Sequence, residues 1–405
     1  MELEVHWAGR EAQRIGRLYQ NDRGTVFFEY DSAWRAGSRE LSPIYLPNST
    51  PGAVSTPVPG FGELHGLFQD ALPDWWGERL MQRHFESRGI PWNRVTALRK
   101  LACQGSRKMG ALAFLPALDD ADFNDGMLAE LGELVDAARE TLRGGTGEVL
   151  AALLKSGISP GGAQPKALLA ISEDFSEVRL DDPPPSGFGN WLIKFDTEPA
   201  LQEGRIEATY ADMARAAGIT VPETRLLEAV GGCHFLSRRF DRTDKGERLH
   251  LHSYSGLTHT PLRDGLEYAD LMEISRSLTR DHRSVEEIFR RAMFNLVAAN
   301  DDDHGRNHAF LMDADGKWTL APAFDLTLAT YPLASGFRAA KINGKSSSIT
   351  IKDLIRLGNE HDVNRPADIV QQVVNAVENW ETHAMKNGIN PANIAMVVAQ
   401  HRLSL

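Results

Sequence analysis

Asn300-Asp301-Asp302-Asp303-His304-Gly305-Arg306-Asn307, followed by Ala323-Phe324-Asp325, is the stretch that decides how this 405-residue chain is read. Asp302 and Asn307 keep a D-x-x-x-x-N spacing, which in phosphoryl-transfer loops holds a proton acceptor and a metal ligand on one short segment, and Asp325 offers a second metal-binding carboxylate. Three successive aspartates repel one another unless a cation or a proton relieves them. Mg2+ is the natural relief, because it prefers oxygen ligands and bridges carboxylates to nucleotide phosphates. Upstream, Phe294, Val297 and Ala298 mark the apolar face of a helix that fixes the start of the loop. Downstream, Phe310-Leu311-Met312 and Trp318-Thr319-Leu320 read as strands joined by the turn Asp313-Ala314-Asp315-Gly316, a hairpin that returns Asp325 beside Asn307. The alternative is an acidic surface turn.

Composition bounds the rest. A chain with 42% hydrophobic residues buries a large core, and its length suggests two or three domains or lobes. Lys and Arg total 44 against 55 Asp and Glu, a net charge of -11, so the overall basic balance of a dedicated nucleic-acid binder is missing. Two separated cysteines, Cys103 and Cys233, make neither a disulfide framework nor a thiolate zinc site and read as small buried residues. The N-terminus lacks the basic and apolar regions of a signal peptide, and no run approaches about 18 apolar residues. A cytoplasmic chain with no membrane partner is expected.

Three regions follow along the sequence. In the first, Ile15 to Tyr19 and Val26 to Tyr30 predict a hairpin across Asn21-Asp22-Arg23-Gly24, and Glu63 to Phe68 and Asp74 to Phe85 predict helices, with Trp75 and Trp76 as packing anchors. In the second, helices are expected at Met127 to Leu142 and Glu148 to Leu154, then strands at Lys166 to Ile171, Val178 to Leu180 and Trp191 to Phe195. A helix from Glu203 to Ala217 stops at Gly218, and strands Thr224 to Glu228 and Cys233 to Phe240 close the region. The third is mostly helical: Tyr268 to Leu278, Val285 to Asn300, Ile351 to Leu357 and Ala367 to Met385. A sheet lobe followed by a helical lobe puts a ligand site in the cleft between them.

Three further segments carry candidate chemistry. The loop Ser159-Pro160-Gly161-Gly162-Ala163-Gln164-Pro165-Lys166 has the small residues that let backbone N-H groups approach a phosphate, although it is neither a Walker A loop nor a G-x-G-x-x-G fingerprint. Lys194 interrupts an apolar strand, so it either faces solvent or meets an anion; Glu207 is a candidate partner, with an exposed helix glutamate as the simpler expectation. Backbone groups at the strand end Arg238-Arg239-Phe240-Asp241-Arg242 suit an adenine edge, with Phe240 over its face, or simply pack. His304 and His308 form an H-x-x-x-H pair, a minority case for zinc that lacks H-E-x-x-H and a third histidine. His250 and His252 share a strand face and read as structural.

Taken in order, these segments resemble the HipA family of serine/threonine kinase toxins of bacterial type II toxin-antitoxin systems. Gly16-Arg17-Leu18-Tyr19, Phe28-Glu29-Tyr30-Asp31, Leu41-Ser42-Pro43 and Phe68-Gln69-Asp70-Ala71-Leu72-Pro73-Asp74 look like its N-terminal domain. The resemblance implies an α+β, bilobal protein-kinase-like fold: a small β-rich N-terminal domain (1-120), a mixed-sheet N-lobe with phosphate loop and hinge (121-245) and an all-helical C-lobe (246-405). It implies ATP and Mg2+ as cofactors, Asp302 as proton acceptor, Asn307 and Asp325 as metal ligands, and Lys194 as phosphate contact. Gly161, Gly162, Ala163, Gln164, Pro165 and Lys166 would cover the phosphates, and Arg238, Arg239 and Phe240 would form the adenine hinge. His304, Gly305, Arg306, Asn307 and Phe324 would complete the ATP site, and Ser159 would be the autophosphorylated serine. A helix-turn-helix, HipB-like antitoxin is the implied partner, with DNA contacted mainly through it, and a translation protein such as an aminoacyl-tRNA synthetase is the implied substrate. Asp303 stands where the family also has a small residue, leaving open whether it adds a metal ligand or only charge. A kinase-fold protein that only binds an antitoxin-DNA complex, and a small-molecule kinase, are the other classes.

Overall fold

Strict alternation builds the first sheet. Leu3, Val5 and Trp7 point inward along Glu2–Trp7 (β1), a strand not expected from the sequence, while Glu2, Glu4 and His6 point outward. The expected hairpin forms as Gln13–Gln20 (β2) and Val26–Tyr30 (β3), its turn closed by the Asn21 side chain accepting from the N-H groups of Arg23 and Thr25. With Leu112–Leu115 (β4) the antiparallel order is β3-β2-β1-β4. The computed structural model describes residues 1–56, 61, 63–118, 131–143, 153, 164–229, 231–329 and 338–404. Ser159, Gly161, Gly162 and Ala163 lie outside them, as does all but Leu153 of the helix expected over Glu148 to Leu154.

The second sheet has five antiparallel strands: Lys166–Ser172 (β5), Val178–Arg179 (β6), Phe188–Lys194 (β7), Thr224–Ala229 (β8) and Gly232–Arg238 (β9), in the order β6-β5-β7-β9-β8. Each lies within a few residues of its expected position. Helix Glu203–Ala216 crosses between β7 and β8, and Gly218, with φ of 80°, takes the left-handed turn that ends it. One buried cluster joins this sheet (Ala167, Leu169, Ile193, Leu236) to helix Leu131–Arg143 through Leu134, Val135 and Ala138. The same cluster takes in Trp76 and Leu80 of helix Trp75–Ser87. Trp76 is thus the packing anchor expected; Trp75 is 51% exposed, under the Arg79 guanidinium.

The C-terminal part contains helices Tyr268–Thr279, His282–Val297, Ile351–Glu360, Pro366–Glu378, Trp380–Lys386 and Pro391–Val398. The single helix expected over Ala367 to Met385 is broken at Asn379. The lobe is also not purely helical. His250–Ser253 (β10) pairs with Ala309–Met312 (β12), which pairs with Trp318–Leu320 (β13), and Leu266–Glu267 (β11) pairs with Ala340–Lys341 (β14). The apolar runs around the catalytic-loop candidate therefore find edge partners and become sheet. His250 and His252 are structural as expected: His250 Nε2 meets the Leu41 carbonyl at 2.9 Å, and His252 bridges Asp70 (2.6 Å) and Ser42 (3.1 Å). No helix among the described residues is long and apolar enough to cross a membrane.

The N-terminal sheet shares one buried cluster with the C-terminal helices, running from Leu3 and Trp7 through Phe68 and Phe114 to Tyr268, Phe294 and Trp380. Two short helices, Gly66–Gln69 and Tyr254–Thr258, approach closely. A Cβ on Gly66 would sit 1.8 Å from the Gly256 carbonyl oxygen, and the Gly66 N-H donates to His259 Nε2 at 2.8 Å. Gly66→Ala must push these segments apart and is expected to lower stability by about 1–3 kcal/mol. An unchanged thermal unfolding midpoint would show that this contact does not join the two parts.

Candidate active site

The register of the five-stranded sheet sets the electrostatics of the site. Lys166 on β5 stands directly opposite Lys194 on β7, and both side chains are buried. Like charges opposite one another destabilise a sheet unless anions intervene. Each lysine has its own. Lys166 Nζ donates to Asp74 Oδ2 at 2.8 Å, while Lys194 Nζ donates to Glu207 Oε1 at 2.5 Å and, more closely still, to Asp325 Oδ1.

Glu207 is therefore not the exposed helix residue expected. It lies buried in the first half of helix Glu203–Ala216, aimed at β7. Burial pushes its carboxyl up to about 7, with Lys194 opposing the shift and Asp325 adding to it. Burial likewise opposes ionisation of Asp325, but Lys194 and Lys166 outweigh it and hold this carboxyl well below the usual range. For Lys194 burial opposes the charge, and the two carboxylates together raise its pKa. The result is an ion triad with one firmly ionised aspartate. Asp325 also has φ of 57°, a left-handed conformation unusual for a residue other than glycine; such backbone costs roughly 1–3 kcal/mol and gathers at functional sites.

The aspartate run divides sharply. Asp301 receives a two-pronged pair from Arg402, Nη1 to Oδ1 at 2.7 Å and Nη2 to Oδ2 at 2.5 Å. Asp303 is fully buried, accepting from Tyr268 Oη at 2.8 Å, from the Ala340 N-H at 3.1 Å and from Arg338 Nη2. Two arginines thus relieve repulsion expected of the run, and Asp303 is an anchor of the loop. Among the described residues Asp302 has no such partner: its side chain is 47% exposed, with His304 Nε2 4.0 Å away. Burial raises its pKa, His304 lowers it, and Asp325 and Asp303 raise it further.

Asn307 fixes the loop and leaves an atom free. Its Nδ2 donates to the Asp302 carbonyl at 3.0 Å, while its Oδ1 is buried without a hydrogen-bond partner. Gly305 packs tightly, since a Cβ there would lie 3.0 Å from the Tyr254 ring and 3.3 Å from Ser255. An orphaned amide oxygen and an ionised aspartate fit Mg2+, which keeps waters and phosphate oxygens in its shell and needs only one or two protein ligands. His304 and His308 gather no third ligand: among the described residues no three His, Cys, Asp or Glu side chains form a metal-holding group.

A cleft opens beside the triad. Leu192, Val221, Phe235 and Leu326 give it an apolar wall, and Lys166, Lys194, Asp325 and Arg306 a polar end. Phe240 stacks on Phe324, with ring centroids 5.3 Å apart and planes 30° from parallel. Arg306 makes no hydrogen bond or ion pair with the described residues, so its donors remain for a ligand. Asp302, His304, Gly305 and Asn307 are not among the described lining residues, nor are Gln164 and Pro165.

The expected hinge at Arg238–Phe240 is more committed than the sequence suggests. The Arg238 and Arg239 N-H groups already donate to the carbonyls of Glu223 (2.8 Å) and Asn190 (3.0 Å), and the Arg238 guanidinium lies over Trp191. Arg239 turns inward to Asp241, which also pairs with Arg242; Asp182 binds Arg242 and Arg248. The Gly110 N-H reaches the same Asp241 at 2.7 Å. This buried cluster clamps β9 to the N-terminal part. Sequence reading missed Arg338, Arg402 and Asp74 as anchors, because each is a single charge far along the chain from its partner; only Asp74, beside Pro73 at a helix start, carries a local signal.

Several known proteins are similar to this chain. A protein of Haemophilus influenzae named for an inferred kinase activity is 28% identical over 197 residues, 44% of this chain and 55% of that protein's length. Y4mE of Sinorhizobium fredii, likewise named as an inferred kinase, is 28% identical over 379 residues, 87% of this chain and 83% of its own. A solved structure of the Shewanella oneidensis MR-1 toxin-antitoxin system of HipA, HipB and operator DNA superposes with a TM-score of 0.70 at 17% identity, covering 98% of this chain and 95% of that one. That likeness shows the fold. The HipA N-terminal domain profile matches residues 3–115 and the HipA-like C-terminal domain profile residues 158–381; the chain belongs to the HipA family.

Proposed function

We propose that this chain is an ATP- and Mg2+-dependent serine/threonine protein kinase, the toxin of a HipA/HipB-like pair, acting on a translation-related protein and on its own Ser159. The observation that carries the reading is Lys194 held between Glu207 and Asp325 at the polar end of an apolar cleft. That is the arrangement a nucleotide's phosphates need, with a base apart from it on the same loop as the metal ligand. The two relatives named as kinases support it. In the HipA, HipB and operator complex the partner is an antitoxin; a HipB-like partner here, with DNA reached mainly through it, is the corresponding proposal.

Each group has a defined part. The apolar wall with Phe240 and Phe324 takes the adenine, Lys194, Lys166 and Arg306 meet phosphate oxygens, and Asn307 Oδ1 and the Asp325 carboxylate hold Mg2+, which supplies charge neutralisation at the phosphates. Asp302 accepts the proton of the attacking serine or threonine hydroxyl as its oxygen bonds to the γ-phosphorus and the bond to ADP breaks. Its freedom from arginine suits it for this. Asp301 and Asp303, both neutralised, hold the loop in place.

Incubation with radiolabelled ATP and Mg2+ tests the reading. Label is expected on Ser159 or on a cell-extract protein and is expected to vanish with EDTA; label on small molecules alone, or none with wild type, contradicts it. Asp302→Asn should reduce transfer by at least about 100-fold with an unchanged melting temperature. Asp303→Ala should instead destabilise the fold by roughly 3–5 kcal/mol, because it strands Arg338 in the interior. The rate depends on ionised Asp302, whose pKa burial raises, so activity should fall with decreasing pH at a midpoint above the ordinary aspartate value of 3.8. His304→Gln removes a charge that favours ionisation and should move that midpoint upward. A midpoint unmoved by His304→Gln and unchanged activity of Asp302→Asn would both assign the base elsewhere.

A further inference from the structure

We infer that Arg402, in the segment that follows helix Pro391–Val398, is a positioning residue of the phosphoryl transfer, fixing the direction in which the chain leaves helix His282–Val297 and so where Asp302 stands. The inference rests on the reading of Asp302 as the base. Beyond the end of that helix Ala299 has φ of 55°, a left-handed conformation that a residue other than glycine adopts at a cost. Asp302 follows on the loop beyond this joint, so a rotation there is carried to its carboxylate. Arg402 spans the joint. On the helix side its N-H donates to the Val297 carbonyl at 2.8 Å and its Nη1 to the Leu296 carbonyl at 3.3 Å, two of the last carbonyls of the helix. On the loop side Nη1 and Nη2 take the two oxygens of Asp301 at 2.7 and 2.5 Å.

Asp301 is the node through which that grip spreads. Its N-H donates to the Ala329 carbonyl at 3.0 Å, and its own carbonyl accepts from the Ala339 N-H at 2.8 Å. The residue before the base thus ties the helix to the chain after Asp325 and to the segment around Ala339. Arg402 is held in turn by its neighbour. The His401 ring meets Tyr210 and Trp380 edge to face, with centroids 6.2 and 5.6 Å away, and the Tyr210 hydroxyl donates to the Ala298 carbonyl, at the same joint, at 2.6 Å. With the arginine side chain 34% exposed, the pair adds little to stability, and what a two-pronged grip supplies is geometry. The second half of the loop has anchors of its own, since Asp303 is held by Tyr268, Arg338 and the Ala340 N-H. Loss of Arg402 therefore displaces Asp301 and Asp302 and leaves Lys194 and Asp325 in place, which separates the rate of transfer from the binding of ATP.

Arg402→Met keeps an apolar stem and removes the guanidinium. Transfer of label from radiolabelled ATP with Mg2+, to the full chain itself or to cell-extract protein, would be measured over a range of ATP concentrations, with melting temperature recorded alongside. The maximal rate is expected to fall roughly tenfold, as a small misplacement of a reacting group does, while the half-maximal ATP concentration stays within about twofold of wild type. Asp301→Ala should slow transfer similarly, and Arg402→Met should add less than about twofold in that background. The inference is overturned if Arg402→Met keeps a maximal rate within about threefold of wild type, raises the half-maximal ATP concentration as much as it lowers the rate, or slows transfer equally when Asp301 is Ala. If Arg402→Met does not fold, Arg402→Lys, which keeps the charge and loses the fork, takes its place with the same expectation. Wild type that transfers no label would overturn the kinase reading and this inference with it; wild type that transfers label no faster than Arg402→Met would overturn the inference alone.

Discussion

The ammonium of Lys194, shared between Glu207 and Asp325, is the interaction on which the rest of the structure depends. It lies where a strand of the five-stranded sheet, the helix behind it and the segment after β13 meet, and it joins all three. Buried charges persist only when paired, and here the pairing is lopsided. Burial, with Asp325 adding to it, raises Glu207 towards neutrality, while Lys194 and Lys166 keep Asp325 ionised. The site therefore holds an ionised carboxylate beside a buried ammonium, and under the proposed function an incoming Mg2+-nucleotide would divide the two, the carboxylate going to its metal and the ammonium to its phosphates.

The same logic runs through the surroundings. Arginines from distant parts of the chain, Arg338 and Arg402, neutralise the outer members of the aspartate run and leave Asp302 as the member without an arginine. The N-terminal part is bound in by Asp74 to Lys166, by Asp70 to His252 and Ser253, and by the loop before β4 to the Asp241 cluster. Lys166, Lys194 and the Asp301–Asp303 loop are thus set by charges that come from outside the sheet and the loop themselves.

The sequence made the local parts legible. The strand runs of the five-stranded sheet were visible in their apolar pattern, and the spacing of Asp302, Asn307 and Asp325 is the short-range signal from which the proposed site was read. Glu207 was named as a partner for Lys194 but expected to be exposed, because helix periodicity alone does not say which face a sheet will cover. Arg239 read as part of a hinge, yet it is held inward by Asp241 and lies beside Asp182, an aspartate from a distant turn. Glu2–Trp7 alternates as a strand should, but a single six-residue run beginning at Met1 offers little context. Long-range ion pairs such as Asp303 with Arg338 leave no spacing to read.

The account turns on Asp325 serving both Lys194 and a metal. Measuring ATP affinity with and without Mg2+ for wild type and Asp325→Asn tests this most directly. Wild type should bind ATP more tightly with Mg2+, and Asp325→Asn should lose that enhancement. Binding of ATP by wild type that is indifferent to Mg2+, or an equal enhancement in Asp325→Asn, would contradict it.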